Sequence, residues 1–237
     1  MEKNLHIATY EETCKELSKV LVVPKNKRVV VRLGGTMPYA NYPIQINSIA
    51  GIKNSTDKLA MKLIMLQNGI PTSDIGNNIN FPVVVKGVKR SQGTGVFICK
   101  NANELKKAIE KFEAKEAKYY LEKYFPATRE FRLHVSKWDG VFFEVEKKRN
   151  DGHVGEMGVI KYENHYNVRE FIRPAEWPEM QKAAIDCLNA QGLDIAAYDI
   201  GYTKGQFVVY ESNTGPELLK NTLEKYRQTL QKYIDGL

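Results

Sequence analysis

The stretch from Ala197 to Leu218, AYDIGYTKGQFVVYESNTGPEL, limits the fold more than any other part of the chain. It reads as two strands joined by a tight turn. Ile200–Tyr202 lead into Thr203-Lys204-Gly205-Gln206, and Phe207–Tyr210 return. Asp199 opens the first strand, and Glu211 and Asn213 close the second. Residues two apart on a strand share a face, so Glu211 and Asn213 present their oxygens together. The hairpin can fold Asp199 back beside them. Three hard oxygen donors suit Mg²⁺, which takes one or two carboxylates while phosphates complete its shell. A nucleoside triphosphate is therefore the first partner to weigh. The plainer alternative is an ordinary hairpin with a solvated acidic edge.

The rest of the chain predicts an α+β fold. Residues 5–50 hold a helix near 10–20 and a strand, Arg28–Leu33, that ends in the turn Gly34–Pro38. Asn47–Asn54 read as a connector. Ser55 or Thr56 then caps a helix whose apolar stripe is Leu59, Leu63 and Leu66, stopped by Asn68-Gly69. Phe81–Lys86 and Val96–Cys99 read as strands about the loop Gly87–Gly95, followed by a helix with Leu105, Ala108, Ile109 and Phe112 inward. Tyr119–Tyr124 form a strand, and Phe131–Lys137 with Val141–Lys147 form a hairpin about Asp139-Gly140. Residues 149–168, rich in Gly, Asn and His, read as a mobile loop. A helix opening at Pro178 and ending at Gly192 precedes the first hairpin described. The last helix turns Leu219, Leu223, Tyr226, Leu230 and Tyr233 inward. So many hairpins argue against a doubly wound parallel sheet.

The 237 residues are long enough for one large domain or two modest ones. No apolar run reaches membrane-spanning length, and no secretory signal opens the chain. Cys14, Cys99 and Cys187 are scattered, which predicts unpaired thiols and a cytoplasmic location. The net charge of +7 favours acidic partners, among them nucleotides and acidic peptides. Nucleic acid shares that chemistry, but no dedicated DNA-binding motif is present.

Three further segments could serve a nucleotide. Lys86 ends an apolar strand and leads into GVKRSQGTGV, whose glycines allow backbone N–H groups near phosphate oxygens. A β-hairpin loop with Lys86 at its edge is the competing reading, and the loop is not a Walker A motif. Lys58, in the first turn of its helix, matters only as a second cation for the same phosphates. LEKYFPATREFR, residues 121–132, is either a strand and turn with a surface pair of Glu130 and Arg132, or a linker between two lobes.

Together, NSTDKLAMKLIMLQNGIPT, FPVVVKGVKRSQGTGV, LEKYFPATREFR and YDIGYTKGQFVVYESNTGP resemble the ATP-grasp superfamily of carboxylate–amine ligases. The branch is that of the ribosomal-protein glutamate ligases and D-alanine–D-alanine ligases. The ending is the most specific part: an aspartate, eleven residues, Glu-x-Asn, then a proline three further on. The resemblance implies ATP held between two α+β lobes over residues 53–237, with a lid lobe near 80–121, a C-terminal lobe near 122–237 and a short section 1–52 in front. It implies that Lys58 and Lys86 contact phosphates and that Ser91, Gln92, Gly93, Thr94 and Gly95 close over them. Glu122, Lys123, Tyr124 and Phe125 would line the adenine slot, mostly through backbone atoms, and Glu130 would hold the ribose. Asp199, Glu211 and Asn213 would bind two Mg²⁺ ions, with Glu211 bridging. Family members place a basic residue before the aspartate against the transferred phosphoryl group; Arg132 and Arg149 are the candidates here. The implied reaction phosphorylates a carboxylate and lets an amine displace the phosphate. A small-molecule kinase and a non-catalytic nucleotide-binding module are the other readings. The short N-terminal section leaves the carboxylate and amine unnamed, an acidic peptide or protein among them. Arg32–Thr36 is a substrate loop or a plain turn, and a homodimer follows from the family's habit.

Overall fold

The computed structural model describes residues 4–77, 80–88, 95–147, 149–154, 160–162 and 171–237. Three larger sheets and one two-stranded sheet organise them. The N-terminal sheet is parallel, in the order β1 (Leu5–Thr9), β2 (Val29–Leu33), β3 (Ile44–Ile46). Only β2 was legible in the sequence, through its run Val29-Val30-Val31; β1 has the same length but no such apolar run, and β3 has three residues. The helix expected near 10–20 is two four-residue pieces, α1 (Glu12–Lys15) and α2 (Leu17–Val20), meeting at Glu16.

The expected connector 47–54 is instead part of a helix, α3 (Ile49–Thr56), capped by the Ser48 hydroxyl, which accepts from Gly51 N at 2.9 Å. The next helix, α4 (Lys58–Gln67), is capped by Asp57, whose Oδ1 accepts from Leu59 N and Ala60 N. Asn54, Ser55 and Thr56 favour caps over helix interiors, which is why the sequence reads as a break there. Leu63 and Leu66 are 43% and 37% exposed, while Met61, Lys62 and Met65 are buried. The helix carries two apolar stripes, and the hairpin selects the methionine one: Met61 Sδ accepts from Ser212 N.

The second three-stranded sheet is antiparallel, in the order β5 (Val96–Cys99), β4 (Val83–Gly87), β6 (Tyr119–Lys123). α5 (Ala102–Glu113) buries Ala108 and Phe112 against Val83, Val85 and Cys99. The large sheet is also antiparallel, in the order β12 (Gln206–Asn213), β11 (Ile195–Thr203), β7 (Arg129–Ser136), β8 (Gly140–Glu146). α6 (Trp177–Gln191) packs Met180, Ala184 and Leu188 against Phe131, Leu133 and Ile200 on one face. On the other face, α7 (Lys220–Asp235) and the N-terminal sheet share one core, with Val29, Val31 and Leu33 against Tyr226, Leu230 and Ile234. Leu218 is buried where Leu219 was expected, and Leu219 is exposed at the helix start. Within the supposed loop 149–168, the described residues form an antiparallel pair, β9 (Arg149–Val154) and β10 (Ile160–Tyr162).

Pro71–Gly76 ties the large sheet to the sheet of β4, β5 and β6. Pro71 O accepts from Val209 N at 2.8 Å, and Asp74 O accepts from Lys123 N at 2.8 Å. Among the described residues, no helix is long and apolar enough to cross a membrane. Cys14, Cys99 and Cys187 are buried free thiols.

Candidate active site

The hairpin supplies the first half of the site. Lys204 and Gly205 both have positive φ, 45° and 80°, the conformation of a two-residue hairpin turn. From that turn, regular pairing sets Ile200 opposite Val209, and would set Asp199 opposite Tyr210. Glu211 would then face away from Asp199. The register instead shifts at this point, so that Asp199 pairs with Glu211 and Ala197 with Asn213. Tyr210 is the extra residue of a β-bulge, the device that re-aims side chains beside sites. The eleven-residue spacing and the two-residue turn together require such a bulge to bring the carboxylates to one face.

Bulging also directs Tyr210. Its ring lies over Gly201, where an added Cβ would meet the Tyr210 hydroxyl at 2.4 Å. The hydroxyl donates to Phe125 O at 3.3 Å, and Lys86 Nζ sits 5.6 Å from the ring centroid. Gly201→Ala must therefore displace the Tyr210 ring. The expected cost is about 1–3 kcal/mol in urea unfolding; an unchanged midpoint would refute this packing.

Every carboxylate here meets a cation. Arg132, the register neighbour of Asp199 on β7, donates from Nε to Oδ1 at 2.6 Å and from Nη2 to Oδ2 at 2.8 Å. Lys147 donates to Asp199 Oδ2 at 3.0 Å and also to Glu130. Burial alone would raise the Asp199 pKa, but Arg132 and Lys147 outweigh it and hold the carboxyl well below the usual range. Lys58, at the first position of α4, donates to Glu211 Oε2 at 2.8 Å. The Glu211 side chain is 40% exposed. Its enclosure favours the neutral form, yet Lys58 keeps its pKa below the ordinary carboxylate value against repulsion from Asp199. Asn213 accepts from Gly215 N at 3.0 Å through Oδ1.

Glu122 is a second hub. Its side chain is 2% exposed and pairs with Lys86 at 2.9 Å and Lys62 at 3.3 Å. Burial opposes its ionisation, and the two lysines more than offset that. Lys62 is fully buried, donates to Thr72 Oγ1 at 2.6 Å, and is pushed by burial down to about 8 despite Glu122.

The residues singled out from sequence thus fall into distinct places. Lys58, Lys86, Glu122, Glu130, Arg132, Asp199 and Glu211 all take part in ion pairs, in three groups: Lys58 with Glu211, Lys86 with Glu122, and Arg132, Asp199 and Glu130 joined through Lys147. Glu130 pairs with Lys147 and Arg132 with Asp199, in place of the surface pair Glu130–Arg132. Glu122 presents a side chain rather than its backbone, since β6 pairs Val84 with Glu122 on one side while Ile75 bridges it on the other. Lys123 has its N–H on Asp74 O and an exposed side chain. Tyr124 and Phe125 lie just beyond the strand, and Phe125 meets Tyr210 edge-on at 6.4 Å. Gly95 O accepts from Gly87 N at 2.9 Å, closing the base of the glycine loop. Ser91, Gln92, Gly93 and Thr94 lie outside the described residues, as does the side chain of Arg149.

Lys62 and Lys147 were missed. Lys62 left a signal, a lysine inside the buried stripe between Met61 and Met65, four residues after Lys58. Lys147 had only its place at the end of a predicted strand.

The donor chemistry fits a hard divalent cation: two opposed carboxylates and an amide oxygen, all oxygen donors. Among the described residues, no group of three or more His, Cys, Asp or Glu is arranged to hold a metal. Oxygens from a bound phosphate would have to complete such a shell.

Comparison with known proteins identifies the family and the fold. The family model described as D-ala D-ala ligase C-terminus matches residues 60–225. Biotin carboxylase 1, chloroplastic, of Populus trichocarpa is 26% identical over 185 residues, which are 67% of this chain and 34% of that protein. The chain thus spans about a third of the length of that curated relative. The D-alanine–D-alanine ligase of Bacillus anthracis superposes with a TM-score of 0.70 at 20% identity, covering 98% of this chain and 93% of that one. Its complex with ATP gives 0.67 at 19% identity, over 98% and 97%. At such identities the structural likeness establishes the fold, while the family match covers well over half of the chain. The chain is a member of the D-ala D-ala ligase C-terminus family and, through it, of the ATP-grasp superfamily.

Proposed function

We propose that the protein is an ATP- and Mg²⁺-dependent carboxylate–amine ligase working through an acyl phosphate. The observation that carries this reading is the bulged hairpin, which opposes Asp199 and Glu211 and surrounds them with Arg132, Lys147 and Lys58. The family match and the ATP complex of the Bacillus anthracis enzyme support the nucleotide.

In this reading Lys58 and Lys86 exchange Glu211 and Glu122 for the phosphates of ATP, and the segment Ser91–Gly95 covers them. Glu130 takes the ribose, and Glu122 to Phe125 line the adenine slot. Asp199, Glu211 and Asn213 hold Mg²⁺, which when bound supplies charge neutralisation at the phosphate oxygens. Arg132, with Arg149 as the second candidate, steadies the charge that builds on the transferred phosphoryl group. The substrate carboxylate oxygen takes the γ-phosphoryl group, and ADP leaves. The amine nitrogen then attacks the acyl carbon, phosphate departs, and the nitrogen gives up its proton as the amide forms. Positioning and electrostatics carry the rate, so no side-chain nucleophile is needed. Unpaired buried thiols suit a cytoplasmic site of action.

Calorimetry with a non-hydrolysable ATP analogue tests the site. Binding is expected to require Mg²⁺ and to weaken at least about tenfold in Glu211→Gln, a loss of roughly 1.4 kcal/mol. Analogue binding indifferent to both Mg²⁺ and Glu211 would sink the assignment. With ATP, hydroxylamine should trap a hydroxamate from the acyl phosphate. A stable phosphorylated product formed without any amine would make the protein a kinase instead.

A further inference from the structure

The N-terminal section carries a feature that the nucleotide site does not use. Arg32, the fourth residue of β2, is fully buried. Val29, Val31 and Leu33 alternate with it and face the shared core. Arg32 points to the opposite face of the sheet, which the segment 36–43 covers. There Nη1 reaches Asn47 O at 3.4 Å and Nη2 reaches Met37 O at 3.5 Å, both at the limit of hydrogen bonding. Among the described residues Nε has no hydrogen-bond partner. The Tyr39 ring centroid lies 5.9 Å from Cζ. Among the described residues no carboxylate pairs with this guanidinium, in contrast to Arg129 and Arg132 on β7, which pair with Glu146 and Asp199.

A buried cation without an acid is costly, and native folds keep one where a ligand or partner completes it. The edge left over identifies that ligand. At Arg132 the protein itself shows how a carboxylate docks: Nε and Nη2 take the two oxygens side-on, at 2.6 and 2.8 Å. At Arg32 the same edge has an unpartnered Nε and an Nη2 with one 3.5 Å contact. A planar fork of this kind matches a carboxylate in bidentate fashion.

Access and location fit as well. Met37, whose carbonyl meets Arg32, is 61% exposed. The end of β2 abuts the loop that follows Asn213: a Cβ on Gly215 would lie 2.9 Å from Leu33 O. Thr13 Oγ1 accepts from Leu218 N at 2.9 Å and fixes the same loop to the N-terminal section. Asn47 donates to both Arg32 O and Ile195 O at 2.9 Å, joining β2 to the start of β11.

We propose that Arg32 is the anchor for a carboxylate group of the substrate, received beneath the 36–43 segment beside the Asn213 end of the cleft. This rests on the ligase reading for the word substrate; the binding of a carboxylate does not.

The test is thermal unfolding of wild type, Arg32→Met and Arg32→Lys with acetate, succinate, D-alanine and L-glutamate, each against its amide. At about ten times its Kd, a carboxylate should raise the wild-type midpoint by about 3–5 °C, and the amide should not. Arg32→Met should lose the rise, unfold without ligand at or above the wild-type midpoint, and keep its affinity for the ATP analogue. Arg32→Lys keeps the charge without the fork and should respond weakly. If Arg32→Met does not fold, loss of the rise in folded Arg32→Lys supports the anchor, and retention of it overturns it. Failure of every carboxylate to shift wild type, or an equal shift in Arg32→Met, overturns the proposal. If the carboxylate shifts appear but the ATP analogue never binds, the anchor stands and the ligase reading fails.

Discussion

Asp199→Asn is expected to destabilise the protein by about 3–5 kcal/mol, the range for removing one partner of a buried ion pair. The substitution keeps the shape of the side chain and removes only its charge. Arg132 and Lys147 are 11% and 8% exposed and both converge on this one carboxylate. Glu130 still serves Lys147, while the guanidinium of Arg132 loses the charge of the carboxylate it holds through Nε and Nη2. Adding Arg132→Met to Asp199→Asn should therefore recover a large part of the loss, a coupling that a double-mutant cycle in urea reads directly. A cost below about 1 kcal/mol, as for an exposed pair, would show that solvent screens this cluster. On the proposed reading, the same cations neutralise these carboxylates until ATP and Mg²⁺ take their places.

The turn of the hairpin was legible because Lys-Gly between two apolar runs has a local cause, and so was the grouping of Asp199, Glu211 and Asn213. The bulge at Tyr210 was not read, although counting residues back from the turn would have demanded it. Lys62 and Lys147 escaped because their partners are far away in sequence: Lys62 meets Glu122 sixty residues on, and Lys147 meets Asp199 after fifty-two. Burial of a cation is decided by those distant acids, which no local pattern encodes. The misread face of α4 has a different cause. Leu59, Leu63 and Leu66 form as good a stripe as Met61 and Met65, and only the arrival of β12 selects between them. The α3 helix was hidden by Asn54-Ser55-Thr56, whose side chains look like a break; Ser55 in fact turns its hydroxyl to Ser212 at 2.7 Å. Arg32 was noticed only as part of a turn, because its burial depends on the 36–43 segment folding over the sheet.

Acid should weaken the fold in a window set by a residue outside the cleft. His134 on β7 is fully enclosed, with its Nδ1 3.1 Å from the Tyr226 hydroxyl and the rings of Phe143 and Tyr226 centred 5.4 and 5.5 Å away. Burial pushes its pKa down from 6.5 to about 3, Arg132 adds to the depression, and Asp199 opposes it. Between those two values the unfolded chain binds a proton that the native protein does not. Stability therefore rises with pH through this window, is complete above about 6.5, and falls as pH drops toward 3. The slope from this one residue approaches about 1.4 kcal/mol per pH unit, or roughly 5 kcal/mol across the window. Asp199 acts lower down. Its folded pKa is depressed, so its contribution is present above the ordinary carboxylate value near 3.8 and is lost only as pH falls below that. His134→Gln keeps a partner for Tyr226 and cannot titrate. Urea unfolding of both proteins from pH 7.5 to 4.5 should give a steep loss for wild type and a flatter line for the variant. The difference cancels every group they share, so parallel lines would mean that His134 is charged in the native state, and that the core around Tyr226 admits water.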